Sequence, residues 1–426
     1  MLDIKLIRKD VKAVETKLKT KDPEISLSHL IELDTKLREL KTEVDQLKSV
    51  RNDLSQKIGE AKRKGEDCTD FMNKVSEMGD DIRKFDHEIQ KIEVEFTNEI
   101  AGLPNIPMDD IKISPDPKEN VLLEAIGTKR EFDFPFKNHV ELNEKLDLFD
   151  FKRGAKISGS GWPVYKNLGA KLEWALIQYM IEVQTKNGFM QWIPPLLVRR
   201  DTVFGSGQLP KFENQQFKLK DEDYELFLIP TSEVPLCGLH SDEVLLDTEL
   251  PLKYVAYTPC FRREAGAAGS QERGLIRMHQ FNKVELFCFA KPEDSMNVFD
   301  MMVKSAEDVL KGLNMHYRNM LLVTGDTSFA AARTIDIEVW LPGQNRYYEV
   351  SSVSNCTDYQ ARRSNIRYKT KDGKLEFVYT LNGSGLATSR LMVALLENNQ
   401  NADGTVDIPE VLHKYLGGIK TLSCVN

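Results

Sequence analysis

Residues 258–289 read TPCFRREAGAAGSQERGLIRMHQFNKVELFCF. The stretch parses as strand, polar loop, strand. Residues 254–261 are apolar and aromatic enough for a buried strand, and residues 276–289 alternate well enough for a second. Between them Gly266, Gly269 and Gly274 favour a turn-rich, mobile connection. Charge gathers where strands meet loop: Arg262, Arg263 and Glu264 on one side, Arg277 and His279 on the other, then Glu285. A guanidinium fork binds phosphate oxygens bidentately, so arginines at the mouth of an antiparallel pair suit a polyphosphate. Phe281 offers a flat apolar face to a purine. The same residues also fit a solvated hairpin tip, whose surface ion pairs contribute roughly 0–1 kcal/mol.

Outward from this hairpin the chain alternates helices and strands. Residues 169–188 predict a helix, with Leu172, Ala175, Leu176, Tyr179, Met180 and Val183 on one face. It runs into MQWIPPLLV (190–198), a strand whose prolines belong at a sheet edge. Residues 226–229 are apolar, and Thr231-Ser232-Glu233 after them reads as a helix N-cap. A buried strand at 335–340 and a turn at Pro342-Gly343 precede Glu349-Val350-Ser351-Ser352. A carboxylate and a hydroxyl in such a run offer hard oxygens to a Mg²⁺ shared with phosphate. At 382–390, NGSGLATSR is a Gly-rich strand-to-helix turn, which lets backbone approach a ligand. Arg390 by itself equally reads as an exposed helix charge. Residues 104–120, rich in Pro, Asp and Lys, read as an exposed linker, and residues 122–126 as an entering strand.

The first hundred residues differ in kind. Residues 1–22 read as one short amphipathic helix closed near Pro23. Then Leu33, Leu37, Leu40, Val44, Leu47, Arg51, Leu54, Ile58 and Ala61 follow steps of four and three. A polar break follows, and the pattern resumes through Phe71, Val75, Met78, Ile82, Phe85, Ile89, Ile92 and Phe96. Two seams around one break predict an antiparallel coiled-coil hairpin that projects rather than folds into a globule. Most heptads are dimerisation or spacer coils. Here residues 48–64 carry Lys48, Arg51, Lys57, Lys62, Arg63 and Lys64 against Asp53 and Glu60, a bias suited to a phosphate backbone.

Composition narrows the class. The 426 residues are 29% charged with net charge −8, which argues against a generic basic nucleic-acid binder and leaves local patches for any RNA contact. The six cysteines form no CxxC and sit near no histidine at finger-like spacing, so reduced thiols and no structural zinc are expected. A charged start without an apolar core segment, and no 18-residue apolar run, predict a cytoplasmic chain that is neither exported nor membrane-spanning.

The phrases FRxEAGAAG and RGLIRxHQFxKVE closely resemble the second signature motif of class II aminoacyl-tRNA synthetases, in the seryl-tRNA synthetase version. Residues 169–198 resemble motif 1 and GLATSR (385–390) resembles motif 3. The resemblance spans nearly the whole chain in family order. It implies an α+β protein with an N-terminal antiparallel α-helical coiled-coil arm and a class II synthetase-type antiparallel β-sheet catalytic domain flanked by helices. Its divisions are 1–103 (tRNA-binding arm, hairpin about 27–100), 104–120 (linker) and 121–426 (catalytic domain). It implies activation of L-serine by ATP to seryl-adenylate, then transfer to the 3′ end of tRNA(Ser) and also tRNA(Sec). By resemblance Arg262, Glu349 and Arg390 are catalytic, and Thr231, Ser232, Glu233, Glu285, Asn382 and Ser384 bind serine. ATP falls to Arg262, Arg263, Glu264, Met278, Phe281, Glu349, Val350, Ser351, Ser352 and Arg390, with Mg²⁺ on Glu349 and Ser352. Lys48, Arg51, Lys57, Lys62, Arg63 and Lys64 would meet tRNA, and the catalytic domain would form a homodimer.

Overall fold

A computed structural model describes residues 1–264 and 274–423. The loop glycines Gly266 and Gly269 and the thiol of Cys424 lie outside the described residues. Contacts divide the chain into two units. One comprises residues 2–19 and 23–103; the other comprises Met1, residues 20–22 and the chain from Pro104 onward.

The first unit opens with two helices where one was expected, α1 (Ile4–Lys9) and α2 (Val11–Lys19). Asp10 breaks the run: its φ is −155°, and its carboxylate accepts the Ala13 N–H at 2.9 Å, which caps the second helix. The hairpin follows as α3 (Ser28–Lys64) and α4 (Thr69–Ala101). The turn falls at Gly65, in the left-handed region at φ 72°, where its N–H closes α3 on Ala61 and Lys62. Leu33, Leu37, Leu40 and Val44 pack against Ile82, Ile89 and Ile92, with Phe85 and Phe96 beside them. Leu54, Ile58, Phe71 and Val75 are only half-buried, so the seam loosens toward the turn. Lys36–Glu88 (2.5 Å) and Lys41–Glu93 (2.6 Å) flank it.

The second unit is built on a sheet of eight strands among the described residues: β1 (Val121–Ile126), β2 (Met190–Trp192), β3 (Leu252–Phe261), β4 (Gln280–Ala290), β5 (Tyr317–Leu321), β6 (Arg333–Leu341), β7 (Arg346–Asn355) and β8 (Tyr379–Ala387). Their spatial order is β1-β5-β6-β7-β8-β4-β3-β2. Neighbours run antiparallel except β2, which pairs parallel to β3 at the edge. The helices that bear on the site are α5 (His139–Leu146), α6 (Asn167–Lys186), α7 (Glu233–Gly238), α8 (Ser295–Gly312) and α9 (Thr388–Asn398). Strand alternation builds the core. Val284, Leu286 and Cys288 of β4 share it with Leu172 and Leu176 of α6, Phe299 and Met302 of α8, and Leu391 and Leu395 of α9. The alternating residues Lys283 and Glu285 are thereby turned from the helix layer.

Two expectations need correction. The first part of the segment expected as an exposed linker, residues 104–111, is folded onto this unit, while most of 112–120 is exposed. Asn105 is buried and donates its amide to the Ala330 and Cys356 carbonyls, Met108 N–H bonds Ala332 O, and Ile111 enters the core. Pro104 and Pro107 are buried along an extended path, whereas Pro115 and Pro117 are exposed. The second hairpin strand begins at Gln280, not at residue 276, because the backbone before it is committed elsewhere: Leu275 N–H to the His139 ring and His279 N–H to Gly161 O. Among the described residues no helix is long and apolar enough to cross a membrane.

Candidate active site

The register of the central strands gathers residues from distant parts of the chain. Glu285 on β4 sits opposite Ser384 on β8, and Asn382 on β8 opposite Ser354 on β7. Glu349 and Ser352 are three residues apart, so a regular strand would send them to opposite faces. A bulge cancels that parity: Ile337 pairs with Ser351 while Glu338 pairs with Glu349, leaving Val350 as the extra residue. A second irregularity pairs Lys283 with Ala387 but Glu285 with Ser384. Within it Leu386 adopts φ 102°, a left-handed backbone that a branched side chain rarely takes and that marks a constrained site.

Two cavities open here. The larger, about 400 Å³, is lined by Thr231, Glu233, Lys283, Glu285, Asn382 and Ser384, with Gly207, Gln208, Phe212 and Phe329 around them. The smaller, about 210 Å³, is lined by Ile276, Arg277, Met278, Phe281, Val350 and Arg390. Arg262, Glu264, Lys283, Glu349 and Ser384 border both, so the cavities meet along that line.

The larger cavity is acidic and tightly hydrogen-bonded. Thr231 accepts from Lys283 Nζ (2.7 Å) and from the Glu233 N–H (3.2 Å), and donates to Glu285 Oε2 (3.3 Å). Lys283 and Glu285 form an ion pair, both almost fully buried. Removing one partner of such a pair strands the other charge at a cost of about 3–5 kcal/mol. Glu233 accepts from Gln360 Nε2 (2.6 Å) and Asn382 Nδ2 (3.1 Å). Burial, then the Glu285 charge, push its carboxyl up to about 7. A small cationic group with a hydroxyl fits this wall of acceptors.

The smaller cavity is lined by three arginines, Arg262, Arg277 and Arg390, and by the Phe281 ring. Arg390, in the first turn of α9, donates to Glu349 O (2.8 Å), Glu349 Oε2 (3.2 Å) and Ile276 O (3.4 Å). Arg262 donates to Pro230 O (3.3 Å) and rests 5.1 Å from the Phe281 ring centroid. Behind Glu349, Asp336 pairs with Ser352 in register, and its Oδ1 is buried without a partner. Burial, then the Glu349 charge, hold the Asp336 carboxyl well above its usual range.

Comparison with known proteins places the chain in a family. Residues 1–107 match the model of the seryl-tRNA synthetase N-terminal domain, and residues 217–399 match the class II tRNA synthetase core domain (G, H, P, S and T). The chain is 52% identical over 422 residues to the serine–tRNA ligase of Chlamydia pneumoniae, covering 99% of both chains, and 51% identical over 423 residues to that of Chlamydia felis. The chain belongs to the seryl-tRNA synthetase family. Its fold matches the crystal structure of seryl-tRNA synthetase from Pyrococcus horikoshii complexed with ATP, with TM-score 0.92, 37% identity and full coverage of both chains. It also matches the cytoplasmic serine–tRNA ligase of Naegleria fowleri in complex with AMP, with TM-score 0.89, 27% identity and 99% of that chain covered.

Against this family frame, most residues singled out from the sequence lie together. Thr231, Glu233, Asn382 and Ser352 line the larger cavity, Met278, Phe281, Val350 and Arg390 the smaller, and Arg262, Glu264, Glu349 and Ser384 both; Glu285 lies in the larger. Three lie outside the linings. Ser232 is fully buried and shares a hydrogen bond with Thr258 (2.6 Å), because α7 begins here and turns it inward. Ser351 donates to Ser384 O (2.5 Å), a strut between β7 and β8. Arg263 is exposed. On the hairpin, Lys57, Lys62, Arg63 and Lys64 are exposed, while Lys48 and Arg51 are half-buried.

Sequence reasoning passed over Lys283 and Asp336. Lys283 was findable, since it alternates with Phe281 and Glu285 on one strand. Asp336 was not, because its relation to Ser352 depends on strand register. Lys21 was also missed: its ammonium donates to Ser328 O (2.9 Å) and Ala331 O (2.6 Å), pinning the segment that carries Phe329.

Proposed function

We propose that the joined cavities activate L-serine with ATP and that the acyl group then passes to tRNA(Ser), the serine–tRNA ligase reaction of the family. Serine occupies the larger cavity. Its ammonium and hydroxyl meet the acceptors of Glu233, Glu285 and Thr231, and Asn382 and Ser384 border it. ATP occupies the smaller cavity, with adenine against Phe281 and the Met278 segment, the α-phosphate at Arg262 and the γ-phosphate at Arg390. A serine carboxylate oxygen attacks the α-phosphorus, the bond to diphosphate breaks, and seryl-adenylate forms. A ribose hydroxyl of the tRNA 3′ end then attacks the carbonyl and AMP leaves. No protein nucleophile is needed; positioning and charge neutralisation carry both steps. Lys283 stands where the cavities meet, so its ammonium suits the reacting carboxylate and phosphate.

The donor set around Glu349 fits Mg²⁺. Glu349, Ser352 and Asp336 would supply hard oxygens, and the buried Oδ1 of Asp336 has no hydrogen-bond partner that would compete with a cation. Among the described residues no group of three or more His, Cys, Asp or Glu is arranged for a metal, so a bound ion would take its remaining ligands from phosphate and water. Bound there, the ion would neutralise charge on the phosphates. Exposed Trp174 on α6, Met190 on β2 and Ile193 beyond it support a homodimer through this unit. Charging of tRNA(Sec) and a cytoplasmic location complete the proposal on family grounds.

The observation that carries the assignment is the shared border: a cavity lined by carboxylates, a hydroxyl and an amide opens onto an arginine- and Phe-lined one. The test is ATP–pyrophosphate exchange with each amino acid, on the native chain and on Arg262→Ala. Exchange is expected with serine, falling about 10²-fold or more in the variant, or about 2.7 kcal/mol of lost transition-state stabilisation. Exchange within a few-fold of native in Arg262→Ala removes that residue from the chemistry.

A further inference from the structure

Away from both cavities lies a buried pair that the reaction does not use. Glu397, near the end of α9, is 0% exposed, and His139, the first residue of α5, is 1% exposed. Glu397 Oε1 accepts from the His139 backbone N–H and from ring Nδ1, each at 3.0 Å, and its Oε2 accepts the Gly343 N–H at 2.9 Å. The far ring nitrogen, Nε2, accepts the Leu275 N–H at 3.2 Å. A backbone amide can only donate, so Nε2 is bare and the ring proton sits on Nδ1, facing the Glu397 carboxyl. The approach is close: a Cβ on Gly274 would stand 2.1 Å from Nε2, and Gly274 holds φ 73°. Glycine is needed there for space and for backbone conformation alike.

What these bonds hold is informative. Leu275 leads directly into Ile276, Arg277 and Met278, which line the smaller cavity. Gly343 lies in the turn joining β6 to β7, the strands that carry Asp336 and Glu349. α9 itself carries Arg390, which donates to Ile276 O and Glu349 O. One buried acceptor, extended by one ring, therefore ties three segments whose other residues wall the same cavity. An apolar pair of similar volume would fill the space without spending buried polar groups.

We infer that His139 and Glu397 are positioning residues for ATP: they fix the backbone of residues 275–278 against α9 and so preform the adenine and phosphate contacts. This rests on the reading of the smaller cavity as the ATP site. The tied residues 276–278 line the smaller cavity and not the larger, so the effect is selective for the nucleotide.

The test uses the full chain. His139→Leu keeps the bulk and removes both ring functions; His139→Gln keeps one donor and one acceptor on a planar group. Equilibrium ATP binding and the KM values for ATP and serine in pyrophosphate exchange are measured for each, with Phe281→Ala in parallel. Loss of the Leu275 anchor is expected to raise the ATP Kd and KM by about tenfold in His139→Leu, with the serine KM within about twofold, and His139→Gln is expected to recover most of the loss. Should His139→Leu not fold, Glu397→Gln replaces it, since its amide turns a donor toward Gly343 or His139; the same ATP-selective rise is expected. Unchanged ATP constants, an equal rise in both KM values, or a Gln variant as weak as Leu overturns the inference. If Phe281→Ala raises the ATP KM and His139→Leu does not, the positioning role alone fails. If neither moves it, the nucleotide assignment fails and takes the inference with it.

Discussion

At Glu233, burial and a neighbouring carboxylate raise the pKa from 4.5 to about 7. The fold thus binds more protons there than the unfolded chain does between those values. Stability from this group therefore declines as pH rises from 4.5 to about 7 and is level above. A serine ammonium docking beside Glu233 reverses the balance and ionises it. Serine binding is expected to release up to about one proton near pH 6 and almost none near pH 8.5. Calorimetry in buffers of different ionisation enthalpy reads this directly, and buffer-independent heats at pH 6 would take Glu233 out of the ammonium contact. Its partner calls for a gentler substitution than alanine. Glu285→Gln keeps the shape beside Lys283 while removing the charge. The serine KM is expected to rise about tenfold or more and the ATP KM to stay within about twofold. Unchanged serine kinetics would place Glu285 outside the pocket.

At the scale of elements, the β7 bulge does what no side chain can. The sequence shows EVSS, and strand parity alone would split Glu349 from Ser352. The extra residue Val350 reunites them, and register then brings Asp336 alongside. This is why Thr231, Glu233, Glu285 and Arg390 could be found by motif, whereas Asp336 and the inward turn of Ser232 could not: both depend on pairing and helix start, which nearby residues do not specify. The hairpin seam was legible because its heptads are local. The burial of residues 104–111 was hidden because prolines read alike in a linker and in an extended strip bonded to Phe329 and Ala332. If the bulge builds a cation site, Ser352→Ala should raise the Mg²⁺ concentration for half-maximal exchange by about threefold to tenfold, with the serine KM little changed. An unaltered Mg²⁺ titration would contradict that role.

For the whole molecule, the central claim is a division of labour. Every residue assigned to serine, ATP and Mg²⁺ belongs to the unit that holds the chain from Pro104 onward, and every residue assigned to tRNA belongs to the hairpin. With net charge −8, attraction of a polyanion must come from local clusters, and the hairpin carries an exposed one in Lys57, Lys62, Arg63 and Lys64. These side chains stand off the packed seam, so replacing them should leave the helices intact. The decisive measurement replaces all four with Gln and follows two activities on the same preparation across a salt series. Serine-dependent pyrophosphate exchange should stay within about twofold of native, while tRNA charging falls by about tenfold or more and its salt dependence flattens, since fewer counterions are released per complex. Parallel loss of both activities, or full retention of charging, would contradict the account.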